Sequence, residues 1–256
     1  MDNQLIKKAR LRLLKMHYEA NIGHLGGNLS ALDAMVYLHS KVLSEEDIFV
    51  LSKGHSAGAL YIALWVCGRL DDASLSMFHQ EGGKMTGHPV GGWHQNIPFS
   101  TGSLGHGLGL AIGRAFVKRL KQETGHVFCF TSDGEWEEGS NWESLMFMAH
   151  HKLDNLTLLV DANGLQGFGR TVDIVSLEPL ITKFQAFNVD VQEIDGHDTT
   201  ALAAALVLQS TQPKIIILRT VKGHGISFME DRMEWHYLPM TEAQYRQAVL
   251  EVEQSS

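Results

Sequence analysis

Cysteine is nearly absent from this chain: two occur in 256 residues, Cys67 and Cys129, each inside an apolar stretch. A disulfide framework needs more, so the expected fold is held by its core in a reducing compartment. His-x-x-x-His and Cys-x-x-Cys spacings are also missing, which speaks against a zinc centre. With five prolines and no low-complexity run, nothing divides the chain, and residues 1–256 read as a single domain. No apolar run reaches the length of a membrane span, and a formal net charge of −8 argues against nucleic acid as a partner. Lys7, Lys8, Arg10 and Arg12 make a short basic cluster. Leu5, Ala9, Leu13 and Met16 form an apolar stripe there, and Asp2 and Glu19 interrupt the basic bias. An amphipathic surface helix is therefore expected rather than a transit peptide. What remains is a cytoplasmic enzyme, 44% hydrophobic and able to bury a full core.

What is present centres on two strand ends. Val127 to Thr131 and Leu156 to Val160 are short apolar runs rich in β-formers, and each reads as a buried parallel strand. The first leads into Ser132-Asp133-Gly134-Glu135, the second into Asp161-Ala162-Asn163-Gly164-Leu165. Between them Trp142, Leu145, Met146 and Ala149 recur at helical spacing, so residues 140–151 predict the crossover helix. Asp-Gly and Asn-Gly are each common turns. At two strand ends of one crossover unit they also place the oxygen donors Asp133 and Asn163 where a hard cation and a phosphate would sit. Gly134 would let the backbone approach that phosphate closely.

Other runs extend this alternation to an α/β fold with a parallel sheet flanked by helices. Strands are expected at 47–51, 189–194 and 214–220, and helices at 57–66, 104–121 and 241–253. Residues 30–43 predict a helix opened by a Ser30/Asp33 capping box. Gly105, Gly109 and Gly113 make a smooth stripe that predicts close helix packing, and residues 81–105 predict a long functional loop. Seven of the fourteen histidines directly follow glycine: His24, His55, His88, His106, His126, His197 and His224. Imidazoles on such bends can donate to phosphate or to a developing oxyanion and exchange protons near neutral pH. His126 at a strand start after a helix-capping Gly125, and His197 in an Asp-Gly-His-Asp turn, read as structural. His17, His39, His79, His94, His150 and His151 read as surface or satisfied groups.

Ser132-Asp133-Gly134 followed by Asn163 resembles the Gly-Asp-Gly…Asn signature of thiamine-diphosphate enzymes, with Ser132 at the first glycine. Six further segments resemble transketolase active-site loops, in that family's order: Gly23-His24-Leu25-Gly26-Gly27, Ser52-Lys53-Gly54-His55-Ser56-Ala57, Thr86-Gly87-His88-Pro89, Thr101-Gly102-Ser103-Leu104-Gly105-His106-Gly107, Lys222-Gly223-His224-Gly225 and Glu234-Trp235-His236. The chain is thus similar to the amino-terminal, diphosphate-binding subunit of a split transketolase. The resemblance implies thiamine diphosphate as cofactor, with Mg²⁺ or Ca²⁺ held by Asp133, Asn163 and the Leu165 carbonyl. It implies that His55, Gly134, Glu135, Asn163 and His236 bind the cofactor at its diphosphate end, and that Gly102, Ser103 and Leu104 line the thiazolium and pyrimidine. Glu135 and Glu137 read equally as a helix-N-terminal acidic run favoured by the macrodipole. His24, His88 and His236 would face the donor sugar, and Glu138 would join a carboxylate network between the two active sites of a dimer.

The implied reaction moves a two-carbon ketol unit from a ketose phosphate to an aldose phosphate. In the family, the glutamate that activates the aminopyrimidine lies on a pyrimidine-binding domain, which is not found here. A partner subunit carrying that domain and the C-terminal domain is expected, in an α2β2 heterotetramer. An α subunit of a 2-oxoacid dehydrogenase shares the metal motif, but the Thr-Gly-His-Pro and Trp-His elements speak against it. A non-catalytic interaction or regulatory subunit is the remaining alternative.

Overall fold

Five short runs of β-branched and aromatic residues become strands: β1 (Ile48–Leu51), β2 (Val127–Ser132), β3 (Leu156–Ala162), β4 (Asp190–Asp195) and β5 (Lys214–Arg219). They form one parallel sheet in the order β1-β2-β3-β5-β4. The computed structural model describes residues 3–207 and 210–255, so Asp2 lies outside the described residues. The helices are α1 (Asn3–Ala20), α2 (Leu25–Tyr37), α3 (Ala57–Val66), α4 (Asp72–Ser76), α5 (Gly107–Leu120), α6 (Gly139–His150), α7 (Thr171–Ile174), α8 (Leu180–Gln185), α9 (Thr199–Val207) and α10 (Glu242–Gln254).

Side-chain alternation along the strands builds two cores. Phe128 and Phe130 of β2 join α1, α2, α3, α9 and α10 on one face, whereas Val127 and Cys129 join α5, α6 and α8 on the other. Strands buried on both faces cannot show a polar alternation, which is why β2 and β3 read as unbroken apolar runs. Burial pushes the Cys129 thiol well above its usual range, as suits a packing residue rather than a nucleophile. Because all five strands run parallel, their carboxyl ends open on one edge, and that edge carries the chemistry.

Four expectations fail, wholly or in part. The second helix starts at Leu25 rather than Ser30, and its N-cap is His24 in a left-handed conformation, φ 64°. Ser30 instead meets Asp161 at 2.7 Å and Asp33 pairs with Arg10 at 3.0 Å, so both polar groups are satisfied by distant elements and not by a capping box. The glycine stripe is close-packed only at Gly105, just before α5, where a Cβ would lie 2.7 Å from the Glu138 Cβ; at Gly109 a Cβ would make ordinary contact with Ser144 at 3.5 Å. A Cβ at Gly113 would meet nothing within 4 Å, and the other tight approach falls outside the stripe at Gly107, where a Cβ would lie 2.6 Å from the Ser52 Cα. Gly125 is not a helix cap either, since α5 ends at Lys121. Finally, where surface or satisfied, partly buried groups were expected, His17 and His39 are both buried; His17 Nδ1 meets the Gly23 carbonyl at 3.1 Å, whereas neither His39 nitrogen has a hydrogen-bond partner among the described residues. No helix among the described residues is long and apolar enough to cross a membrane.

Candidate functional site

Each of four strand ends contributes one piece of a cavity of about 300 Å³. After β1 comes the turn with Lys53 and His55, after β2 Ser132, Asp133 and Gly134, after β3 Asn163, Leu165 and Gln166, and after β5 Lys222. His24 at the start of α2, His88 and Gly102 of the long loop, and His236 of a single 3-10 turn close the wall. The amide of His24 donates to the His236 carbonyl (3.1 Å), drawing that turn onto α2. Only glycine fits beside it, since a Cβ at Gly23 would lie 2.2 Å from the Tyr237 carbonyl oxygen. Gly102, at φ +133°, likewise leaves no room for a Cβ, which would sit 2.6 Å from the His88 ring.

The donor set around Asp133 suits a hard cation. Its carboxylate is 6% exposed and accepts from the amides of Gly134 (2.8 Å) and Gly164 (2.7 Å) and from the Thr171 hydroxyl (3.3 Å). Burial first, and then the Asp161 charge, push its pKa up to about 6 against the pull of those amides. No ion pair with Asp133 lies within 4 Å among the described residues, and the Lys53 and Lys222 charges act on it only from farther off, so no cation of the chain touches this buried carboxylate. Asn163 and the Leu165 carbonyl stand on the same wall, and all three are oxygen donors, as Mg²⁺ and Ca²⁺ prefer. The residues therefore fit a divalent cation bound with an anion.

Four imidazoles face this donor set. His24 lies 5.6 Å from His88, 5.1 Å from His236 and 6.0 Å from His55, ring centre to ring centre. Burial, and then the neighbouring imidazoles and lysines, lower His24 to about 4 and His236 to about 3. Burial also holds His55 and His88 below their usual value. All four are neutral at pH 7, so each offers one N–H donor and one lone pair. Lys222, lowered to about 8 mainly by burial, donates to the Leu165 (3.2 Å) and Gln166 (3.3 Å) carbonyls and faces His236 Nδ1 at 3.2 Å. An ammonium only donates, so His236 Nδ1 accepts and its proton sits on Nε2.

Of the residues singled out in the sequence, His24, His55, His88, Gly102, Leu104, Asp133, Gly134, Asn163, Leu165 and His236 line the cavity. Ser103 is exposed beside it, and Glu138 is exposed at the start of α6. Glu135 is not on the wall. It is fully buried behind it, where its carboxylate accepts from the Gly105 amide (3.0 Å), the Ser132 amide (3.3 Å) and the Ser52 hydroxyl. It thereby ties together the segments after β1, before α5 and after β2. His106 is an exposed helix cap, His126 bonds Thr157 at 2.9 Å, and His197 and His224 stand together outside the cavity. Sequence reasoning missed Lys222, Gln166, Phe168 and Tyr237 on the wall, and the Lys53–Asp161 ion pair beneath it. The Lys-Gly-His segments held the signal for both lysines, because each sits one residue before a glycine at a strand end. A second groove of about 650 Å³ lies between α1, α3 and α10, but no strand end delivers polar groups into it.

Comparison with known proteins places this geometry. The family described as transketolase, thiamine diphosphate binding domain, matches residues 1–251. An apulose-4-phosphate transketolase subunit of Actinobacillus succinogenes is 37% identical over 226 residues, covering 84% of this chain and 82% of that protein. A 6-deoxy-6-sulfo-D-fructose transketolase subunit of a Clostridium species is 34% identical, covering 91% of this chain and 89% of that protein. Among solved structures, the transketolase of Campylobacter jejuni superposes with a TM-score of 0.88 at 27% identity, covering 99% of this chain and 43% of that one. The chain thus spans about two-fifths of that enzyme and most of each of the two single-subunit relatives.

Proposed function

Because the chain belongs to the transketolase family, we propose that it supplies the diphosphate half of a thiamine-diphosphate site and, with a second subunit, transfers a two-carbon ketol unit from a ketose to an aldose. The observation that carries this reading is the convergence of the buried Asp133 carboxylate, which has no ion-pair partner in contact, with Lys222 and four neutral imidazoles in one cavity at the sheet's carboxyl edge. Asp133, Asn163 and the Leu165 carbonyl would hold Mg²⁺ or Ca²⁺. His55, Gly134, Asn163, His236 and Lys222 would bind the diphosphate, and Gly102, Ser103 and Leu104 would line the two rings. Glu135 serves from behind the wall and not as a direct contact. When bound, thiamine diphosphate supplies a carbon nucleophile that also accepts the electron pair released when the bond beside a sugar carbonyl is cut.

The chain's own groups bind and move protons. With Nδ1 taken up by Lys222, His236 has one donor left, its Nε2–H, which would serve the diphosphate or a sugar oxygen one at a time. His24 and His88, neutral at working pH, can each take a hydroxyl proton on a free ring nitrogen as the carbon–carbon bond breaks and return it to the acceptor sugar. Donor and acceptor are proposed to be anionic sugars, as the names of the two single-subunit relatives suggest for those proteins. The word subunit in those names supports a second subunit here. That subunit is proposed to carry the pyrimidine-binding glutamate and the C-terminal domain, in an α2β2 assembly. Glu138, exposed at the start of α6, is proposed to join a carboxylate network across that assembly, and the enzyme to work in the cytoplasm. Titrating thiamine diphosphate with Mg²⁺ by calorimetry into the Asp133→Ala protein assembled with its second subunit tests the site. Binding should be lost while the circular dichroism spectrum stays that of the parent; undiminished affinity would remove Asp133 from the metal.

A further inference from the structure

Asp33, His197 and His224 lie outside the cavity, and each offers an atom within 4.8 Å of the others, a spacing that would suit a metal ion. The hydrogen bonds exclude that use. The Val221 amide donates to His197 Nε2 at 3.0 Å, which occupies that lone pair and leaves the ring proton on Nδ1, 2.8 Å from an Asp33 carboxylate oxygen. His197 therefore has no lone pair to offer a cation, and the Arg10 guanidinium, 3.0 Å from Asp33, already balances its charge. His224 stacks on His197 at 3.5 Å with the planes 21° apart, and its Nδ1 is 3.5 Å from the Glu230 carboxylate.

What these contacts join is informative. Asp33 belongs to α2, His197 follows β4, and Val221 is the second residue of the segment after β5, immediately before Lys222. That segment is also tied by the Thr220 hydroxyl to Asp161, by the Thr220 amide to the Ala162 carbonyl (3.4 Å), by the Asp231 amide to the Lys222 carbonyl (2.9 Å) and by the Gly223 amide to the Gly26 carbonyl (2.9 Å). Lys222 reaches the cavity from between these anchors, and all three of its contacts lie at 3.2–3.3 Å, so a small slip of the backbone would lengthen them together. We propose that His197 is a positioning residue for Lys222: oriented by Asp33 and held in the Nδ1–H form, it clamps the Val221 amide and so fixes where the Lys222 ammonium stands. The inference rests on the reading of Lys222 as a diphosphate contact. Its chain of action runs from carboxylate to imidazole to backbone to lysine, with His197 never touching the ligand.

The test uses His197→Phe, which keeps a ring to stack on His224 and removes both hydrogen bonds. In the ¹⁵N-labelled parent, without cofactor, the His197 ring should show the Nδ1–H form and the Val221 amide should be protected from exchange. The variant should lose that protection and bind thiamine diphosphate with Mg²⁺ about tenfold more weakly, the size of one net hydrogen bond. Activity of the assembled enzyme at saturating cofactor should not change. His197→Gln, which retains one donor and one acceptor, should bind more tightly than His197→Phe and guards against a folding artefact. On a Lys222→Met background His197→Phe should have no further effect on affinity. An Nε2–H ring, parental affinity in His197→Phe, or an equal loss on the Lys222→Met background would each overturn the proposal. If Lys222→Met alone binds like the parent, the diphosphate reading of Lys222 falls first, and the role of His197 with it.

Discussion

Replacing Lys53 by Met should destabilise the unliganded chain by about 3–5 kcal/mol at pH 7, the usual effect of removing one partner from a buried ion pair. Lys53 and Asp161 are both 0% exposed at their side chains, and the Lys53 ammonium also donates to the Gly27 carbonyl at 3.2 Å. Asp161 accepts from the hydroxyls of Ser30 and Thr220 as well. Burial alone would raise the Asp161 pKa, yet the Lys53 charge and these hydrogen bonds hold it below the usual carboxylate range. Methionine fills most of the lysine's volume and brings no charge, so the carboxylate would be left unpaired in a dry site.

The pH dependence gives the reasoning a sign that can fail. In the parent, Asp161 has a depressed folded-state pKa, so its contribution is present above the unfolded value of about 3.9 and lost only as pH falls through the folded value. In Lys53→Met the folded pKa should instead lie above about 3.9, so the folded state holds a proton that the unfolded state releases, and stability declines as pH rises from there. The gap between variant and parent, measured by urea unfolding, should therefore be smaller at pH 5 than at pH 7. The Lys53 charge also helps to hold His55 and His236 below their usual value, so its removal raises both and narrows the gap toward pH 5 in the same direction. The double variant Lys53→Met/Asp161→Leu should recover a large part of the loss, since a buried pair replaced by apolar groups is often near neutral. A loss below about 1 kcal/mol at pH 7, where a surface pair would fall, or a gap that widens toward pH 5, would refute the buried-pair account.

Two further outcomes follow from the same structure. Burial, and then the Arg69 charge, lower the pKa of His39 to about 3, so the folded state excludes a proton that the unfolded state takes up below about 6.5, and stability falls as pH drops through that window. His39→Phe, meeting Phe49 edge to face as the imidazole does at 4.8 Å, removes this loss and should gain about 2 kcal/mol more over the parent at pH 5 than at pH 7 in denaturant unfolding. At the cavity, His55→Ala should chiefly weaken cofactor binding, whereas His88→Ala should chiefly lower turnover or raise the apparent KM for the donor, because a diphosphate contact exists in every state and a sugar contact only with substrate bound. Steady-state kinetics at saturating cofactor separates the two, and full rescue of both variants by excess cofactor would remove His88 from the substrate.

The strands and the position of the site were legible because both depend on local sequence. β2 and β3 are unbroken apolar runs, and Asp133 and Asn163 follow them directly, so reading the strand ends amounts to reading the cavity's edge. The start of α2 was not legible, for all thirteen residues of that helix are buried and no polar face marks its period. Its polar residues misled for the same reason: the partner of Ser30 is Asp161 and that of Asp33 is Arg10, neither of them near in sequence. Direction is a further property that local reading does not supply. Glu135 sits at a strand end like Asp133 but turns behind the wall, because Ser52 and the Gly105 amide wait there. Lys222 and His224 are separated only by Gly223, whose φ of +82° turns the chain between them, so the lysine enters the cavity while the imidazole stacks on His197 away from it. A strand end fixes where a residue stands; which way its side chain faces is decided by groups that only the fold brings near.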